Sequence, residues 1–583
     1  MSHQFRPAST SSRPKGQRLS RRAFTTAATG AAVLTGARHT FPSTPASAQT
    51  PIPYATPAGN DLVEEASIAS LRRGLDDGEF TVSELVAASL ARIEALDADG
   101  PGLNAMIELN PEAMEIAERR DEEISHGINR GPLHGIPIVV KDIFATADAM
   151  RTTAGSLALA ENEVSRDAFV IEQLRNAGMV ILGKTNMSEW SNFRGTVVSG
   201  WSSRGGQTVN PYATSHTAWG SSTGSAVAVA ASYAPVGLGA ETDGSIICPA
   251  SACGVVGLKP TVGLVSRQGT IGISFTQDSP GPIGRSVEDV AYLLEAIAGY
   301  DPEDMAYGEM AAYAPAAAFA EFPVPNAGER SYVKMLAGDG LKGIRVGVVR
   351  SLFGFDPETD VHVDEAIRAM EDAGAEIVED VQFGSLQDVY DGWGEGFVLG
   401  TEFTHGLHRF FEQYMPYGPI STIQDVVDYY WTHQDETQFW GDVADGLLEA
   451  SWVSPDAIYD PGYLEQLANN LMLTRDLGID QVMDEHELDV LVAPSAGLPT
   501  VVDGGTFLGS TTKFPAMAGY PSLTLPVGYS RGLPAGMHMF GRAFSERKIL
   551  RYAYALEKAL NVRQPPEYLD TVPEPEGTAV PEW

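Results

Sequence analysis

Residues 223–245, TGSAVAVAASYAPVGLGAETDGS, decide how this chain folds. They overlap and follow a Gly/Ser/Thr-rich run, residues 195–225, whose composition alone would suit a flexible linker. Two features oppose a tether. Residues 223–233 are alanine-rich and helix-compatible until Pro235 stops them, and residues 235–240 make a strand of small side chains. The run is therefore a tight loop feeding a core helix. A helix that runs out and a strand that runs back return the chain to the side it left. Ser221 and Ser245, 24 residues apart, then end on the same side of the fold.

Working outward, residues 61–126 have helical texture. Ala66, Leu71 and Leu75 mark a first helix, Thr81 caps a second through SELVAASLARIEAL, and residues 112–124 give a third. Residues 133–140 hold the β-rich GIPIVV, residues 171–177 a short helix, and residues 180–182 a buried strand ending at Gly183, with Lys184 opening a loop. Residues 343–349 (GIRVGVV) are a strand, 363–373 a helix, and AEIVEDV a further strand. Residues 388–483 are helical and aromatic (Trp393, Phe410, Phe411, Tyr429, Tyr430, Trp431, Phe439, Trp440), which suits either a cap walling a pocket or plain core. Core texture returns at residues 488–493 and 521–526, and residues 545–560 form an amphipathic helix. Strands alternating with helices predict an α/β fold whose sheet is covered on both faces.

Length alone, 583 residues, would allow two to four domains. With 76 acidic against 39 basic side chains the formal charge is −37, which repels phosphate backbones and anionic lipid and argues against nucleic acid as a partner. The first 48 residues invert that balance, with seven basic side chains and no acid. Ser20-Arg21-Arg22-Ala23-Phe24 followed by FTTAATGAAVLTGA and Ala46-Ser47-Ala48 reads as a twin-arginine export leader cleaved after Ala48. Its apolar run of about 14 residues is shorter than the roughly 20 a spanning helix needs, so no stable membrane insertion is expected. Residues 49–60 are a Pro-rich linker, and residues 61–583 form the functional domain, with its core at 131–265. Cys248 and Cys253 are read as buried thiols, with a short-loop disulfide as the alternative.

Ser245 is either a turn residue behind Asp243-Gly244 or a nucleophile. A hydroxyl attacks only when another group takes its proton and donors receive the oxyanion. Lys141, at the mouth of the apolar strand GIPIVV, can lose solvation and supply a neutral amine. Ser221, at a helix N-terminus, can stand between the two.

The motifs GIPIVVKD (135–142), GSSTGSA (220–226) and ETDGSI (241–246), in that order, resemble the amidase signature family from about residue 61 to 563. SEWSNFRG (188–195), SRGGQ (203–207), ETDGSIICPA (241–250) and GVVGLKPTVGLVSR (254–267) are closest to its bacterial peptide amidase branch. The resemblance implies an α/β amidase-signature fold, a large mixed central β-sheet with helices on both faces and a helical cap region. It implies a Ser-cisSer-Lys triad with Ser245 as acyl-forming nucleophile, Ser221 after a cis Gly220–Ser221 peptide as relay, and Lys141 as base. The oxyanion hole would be the backbone N–H groups of Thr242, Asp243, Gly244 and Ser245, with no metal and no cofactor. Many members carry Asp-x-Gly-Gly-Ser-hydrophobic-Arg, whereas this chain has Glu241, Asp243 and then Ile247 where the Arg would stand.

Asn192 and Gln207 could bind a substrate amide or staple the Gly-rich loop. Glu402, His405 and His408 have a spacing that could suggest metal, but Gly406 is expected to interrupt the helix, and a solvated face is the reading preferred. His134 is expected to be structural. The expected activity is an exported amidase acting on peptide C-terminal amides. Alternatives are an aliphatic or aryl amidase, the amidase component of an amidotransferase (opposed by the leader and the acidity), and a non-catalytic binding protein.

Overall fold

The computed structural model describes residues 62–194, 197–306, 313, 331–379, 381–437 and 439–572. The export leader and the linker at 49–60 lie outside the described residues. The strands, in chain order, are β1 (Met106–Leu109), β2 (Pro137–Lys141), β3 (Val180–Thr185), β4 (Trp201–Ser202), β5 (Gly206–Gln207), β6 (Val236–Glu241) and β7 (Val256–Lys259). They continue with β8 (Ser279–Gly284), β9 (Arg345–Val348), β10 (Glu376–Val378), β11 (Val490–Pro494), β12 (Ser522–Ser530) and β13 (Leu533–Phe540). Among the described residues, eleven of them form one sheet in the order β1-β3-β2-β6-β8-β7-β12-β13-β11-β9-β10. The sheet is mixed. β3, β2 and β6 run parallel, as do β10, β9 and β11, and the remaining pairs are antiparallel. Every residue of β2, β3, β6, β8, β11 and β13 is buried. Successive side chains of a strand point to opposite faces, so full burial means both faces are covered.

The opening stretch folds as expected. Helix Thr223–Ala230 is buried along all eight residues, and β6 runs back beside it. Small side chains permit that closeness. A Cβ on Gly237 would stand 3.2 Å from both Val139 and Val229. Thr81 caps helix Val82–Ile93 in a reciprocal box with Glu84, satisfying two otherwise free donors.

Several readings are corrected. β1 interrupts the helical texture of residues 61–126; it is a four-residue edge strand held by antiparallel pairing with β3. β3 does not end at Gly183 but continues through Lys184, whose buried amine donates to Phe144 O (2.6 Å) and Thr152 Oγ1 (2.9 Å). Helix Gly394–Tyr414 passes through Gly406 without a break, because its packing outweighs the roughly 1 kcal/mol penalty of one glycine. Sequence reasoning missed β7, β8, β13 and helix Ile247–Ala252. β8 reads SPGPIG, against strand propensity, and is extended because β6 and β7 pair with it on either side.

The helical segment from Leu386 to Glu485 divides its aromatics. Phe403, Phe410, Phe411 and Tyr430 are buried, whereas Trp393, Trp431 and Trp452 are exposed. It docks through polar anchors as well as apolar ones. The Tyr430 hydroxyl bonds Glu189 and Ser156 and accepts from Trp190 Nε1, and Glu402 accepts from Thr276 Oγ1 (2.8 Å) and Tyr463 OH (2.6 Å).

Gly224→Ala tests the tight corner, since its Cβ would meet the backbone carbonyls of Ala105 and Asn186. Thermal unfolding should show a loss of about 2 kcal/mol or more for this variant. Gly441→Ala, in a helix with open space around it, should be neutral or slightly stabilising.

Candidate functional site

β2 ends on Lys141, which is 1% exposed. Its Nζ lies 2.7 Å from Ser221 Oγ and donates to Ala240 O at 3.2 Å. Ser221 follows a cis Gly220–Ser221 peptide, and its carbonyl accepts from Ser188 N–H (3.2 Å). The next residue ties the loop to the end of β6. Ser222 N–H donates to Ser245 O (3.0 Å), and Ser222 Oγ donates to Ala240 O (3.0 Å) and accepts from Ala240 N–H (3.2 Å). Three segments distant in sequence thus meet at one point. The Ser245 hydroxyl has no protein hydrogen-bond partner among the described residues, and the residue is 5% exposed.

Burial pushes the Lys141 amine down to about 7, against the negative charges of Asp278 and Glu241, which favour the ammonium. Those acids are held by protein donors. Asp278 Oδ2 accepts from the N–H groups of Ile273 and Ser274, both at 2.9 Å, and its Oδ1 accepts from the Thr242 hydroxyl. Glu241 Oε2 accepts from Ile246 N–H (2.7 Å) and Ile247 N–H (2.8 Å), folding residues 242–245 back over the start of helix Ile247–Ala252. The N–H groups of Asp243, Gly244 and Ser245 find no protein acceptor among the described residues, which leaves them available to a ligand oxygen. Gly244 has φ +80°, and a Cβ there would stand 2.9 Å from Cys248 Sγ, so glycine is required on both counts.

The other residues singled out divide. Asn192 is exposed, with its amide nitrogen 3.4 Å from where a Cβ on Gly220 would sit, so it borders the cis peptide. Gln207 donates to Ser199 O (2.9 Å) and Thr208 O (2.8 Å), contacts that staple the loop. His134 pairs with Glu123 at 2.9 Å. His405 Nδ1 lies 2.8 Å from Pro455 O, and His408 is exposed beside Glu412. Cys248 and Cys253 are free and buried. Sequence reasoning missed Asp278, Gln277, Glu395 and Thr512 because nothing local distinguishes them. Phe507 packs edge-on against Trp219, two residues before Ser221 (4.8 Å), and Phe439 against Trp201 (5.0 Å).

The profile of the family described as Amidase matches residues 84–550. A probable amidase of Arabidopsis thaliana is 36% identical over 518 residues, covering 87% of this chain and 92% of that protein. A component of the glutamyl-tRNA(Gln) amidotransferase of Caldanaerobacter subterraneus subsp. tengcongensis is 33% identical over 518 residues, covering 86% and 98%. Among solved structures, the native peptide amidase from Stenotrophomonas maltophilia aligns with TM-score 0.79 at 42% identity, covering 86% of this chain and 98% of that one. A peptide amidase in complex with the competitive inhibitor chymostatin gives the same TM-score and identity, over 88% and 100%.

Heteronuclear NMR of Nζ-labelled lysines should show Lys141, assigned through Lys141→Met, losing its proton with a midpoint of about 7. Lys184 and Lys259 should follow at about 8. A Lys141 midpoint near the ordinary 10.5 would contradict the desolvation argument.

Proposed function

As a member of the amidase family the chain is an amide-hydrolysing enzyme, and we propose that it releases ammonia from the C-terminal amides of peptides through Ser245, Ser221 and Lys141. The observation that carries this reading is the 2.7 Å contact of a desolvated amine with Ser221 Oγ, beside a loop bonded to Ser245.

Neutral Lys141 accepts the Ser221 proton while Ser221 accepts that of Ser245, whose hydroxyl rotates toward it. Ser245 Oγ then bonds to the amide carbon, and the N–H groups of residues 242–245 receive the oxyanion. Collapse of that intermediate breaks the C–N bond, and the proton returns through Ser221 to the departing nitrogen, which leaves as ammonia. Water, deprotonated along the same route, cleaves the ester to a carboxylate and regenerates Ser245.

The likeness to solved peptide amidases supports the substrate class, and Phe507, exposed against Trp219 beside the Gly220–Ser221 loop, is assigned as an apolar contact for peptide side chains. Asn192, which borders the cis peptide, is assigned the bond to a substrate backbone in this proposal. Export by the twin-arginine route is proposed on the basic leader alone.

Ammonia release should be measured over amidated dipeptides, fatty amides and aryl amides, with amidated dipeptides giving the highest kcat/KM; preference for another class would overturn the peptide assignment. Lys141→Ala should lower kcat by about 10³-fold, and kcat/KM of the wild type should rise with pH through about 7, because only the neutral amine accepts the proton. A serine-directed covalent inhibitor should label Ser245, an outcome a mere binding protein would not give. Replacing Arg21 and Arg22 together with Lys should hold the protein in the cytoplasm on cell fractionation; unaltered export would refute the leader.

A further inference from the structure

One acid beside the 242–245 loop has no part in the steps above. Glu395, in the first turn of helix Gly394–Tyr414, is buried. Its Oε1 accepts from Gln277 Nε2 at 3.0 Å, and the same nitrogen lies 3.5 Å from the carbonyl of Thr242. Its Oε2 faces Lys513 Nζ at 3.4 Å. The Glu395 and Asp243 carboxyl groups lie close enough for each to act on the other's charge, and Asp243 Oδ1 accepts from Thr512 Oγ1 at 2.6 Å. Asp243 has exposed surface although protein surrounds its carboxyl, and it stands two residues from Ser245.

We propose that Glu395 is a positioning residue: it shares a proton with Asp243 and holds Gln277 against Thr242, and so keeps residues 242–245 in the shape that receives the oxyanion. The proposal rests on the amidase reading above and adds to it a link between the seating of the helical segment and the reactivity of Ser245.

The physical reason is charge. Two neighbouring carboxyl groups cannot both ionise without repulsion, so the pair gives up its last proton later than a lone carboxyl would. Burial, helped by the charge of Asp243, raises Glu395 to about 7, while Lys513 and the Gln277 bond oppose the rise. Burial also raises Asp243, against Thr512, Lys513 and Lys259. Tyr390, from the preceding helix, faces both acids and is itself held neutral by burial and their charge. When the shared proton leaves, two carboxylates repel each other in the field of Lys513, and the loop is pushed open. This sign is opposite to that of Lys141, which must lose its proton to act. The rate therefore rises on the acid side with Lys141 and falls on the alkaline side with the pair.

The test is the pH profile of kcat and KM on a small amidated dipeptide for wild type, Glu395→Ala, Glu395→Gln and Asp243→Asn. Glu395→Ala should lower kcat at least tenfold with KM changed less than about threefold, and Glu395→Gln should recover most of that loss, since an amide can donate to Asp243 without a shared proton. In Glu395→Gln and Asp243→Asn the alkaline limb should move to higher pH or vanish, while the acid limb of Lys141 stays. A persistent alkaline limb in both amide variants, or wild-type kcat in Glu395→Ala, overturns the proposal. Should Glu395→Ala fail to fold, the two amide variants decide alone. A wild type inactive on every amide would instead refute the amidase reading itself, which separates the two failures.

Discussion

The site depends on the desolvation of one lysine. An amine at the end of a strand buried on both faces cannot keep its water, and charging it there is unfavourable unless anions touch it. Around Lys141 they do not: its hydrogen-bond partners are a hydroxyl and a carbonyl, while Asp278 and Glu241 act at longer range. Two other buried lysines show the effect of neighbours. Lys184 has Asp142, Asp148 and Glu108 in its field and Lys259 has Glu241, Glu546 and Asp243, and both are held at about 8 rather than 7. Of the three, Lys141 is the one in contact with a serine hydroxyl.

The acids that temper Lys141 are held by protein donors as well as by the charges of Lys259, near Glu241, and Arg267, near Asp278. Glu241 takes two backbone N–H groups and Asp278 two more plus a hydroxyl. Each thereby shapes the loop on which Ser245 sits, so electrostatic tuning and loop geometry are carried by the same bonds. Loss of either carboxylate would change the lysine and the loop together, which is why neither can be read as a charge alone.

What the sequence made legible follows from what is local. Helix Thr223–Ala230 and β6 could be read because alanine runs, a proline stop and small-residue strands are local signals, and the meeting of Ser221 with Ser245 follows from that geometry. Lys141 was legible as the polar end of an apolar strand. β8 was not, because two prolines and two glycines carry no strand signal and only pairing on both edges extends them. Lys184 reads as the start of a loop since a charged residue normally marks a strand's end; here Phe144 O and Thr152 receive it inside the core. Gln207 by its type is free to meet a substrate, and only its two carbonyl partners show it to be a staple. Glu395 was invisible, since an acid in the first turn of a helix is commonplace and its meaning lies in partners over a hundred residues away.

The division of labour between sheet and helical segment follows from these contacts. Lys141, Ser221 and Ser245 stand on or beside β2, the 219–223 loop and the end of β6, all within the most buried part of the chain. The helical segment contributes Phe439, packed on Trp201, and three buried acceptors or donors, Glu395, Glu402 and Tyr430, that dock it on residues 274–277 and 189–190. Those docking residues lie next in sequence to groups that shape the site: Gln277 precedes Asp278, and Glu189 follows the serine that bonds Ser221. A change in how the segment is seated therefore reaches the 242–245 loop through one or two hydrogen bonds, without any movement of the sheet. Substrate preference can thus diverge through the segment and its rim while the strand-borne groups stay in place.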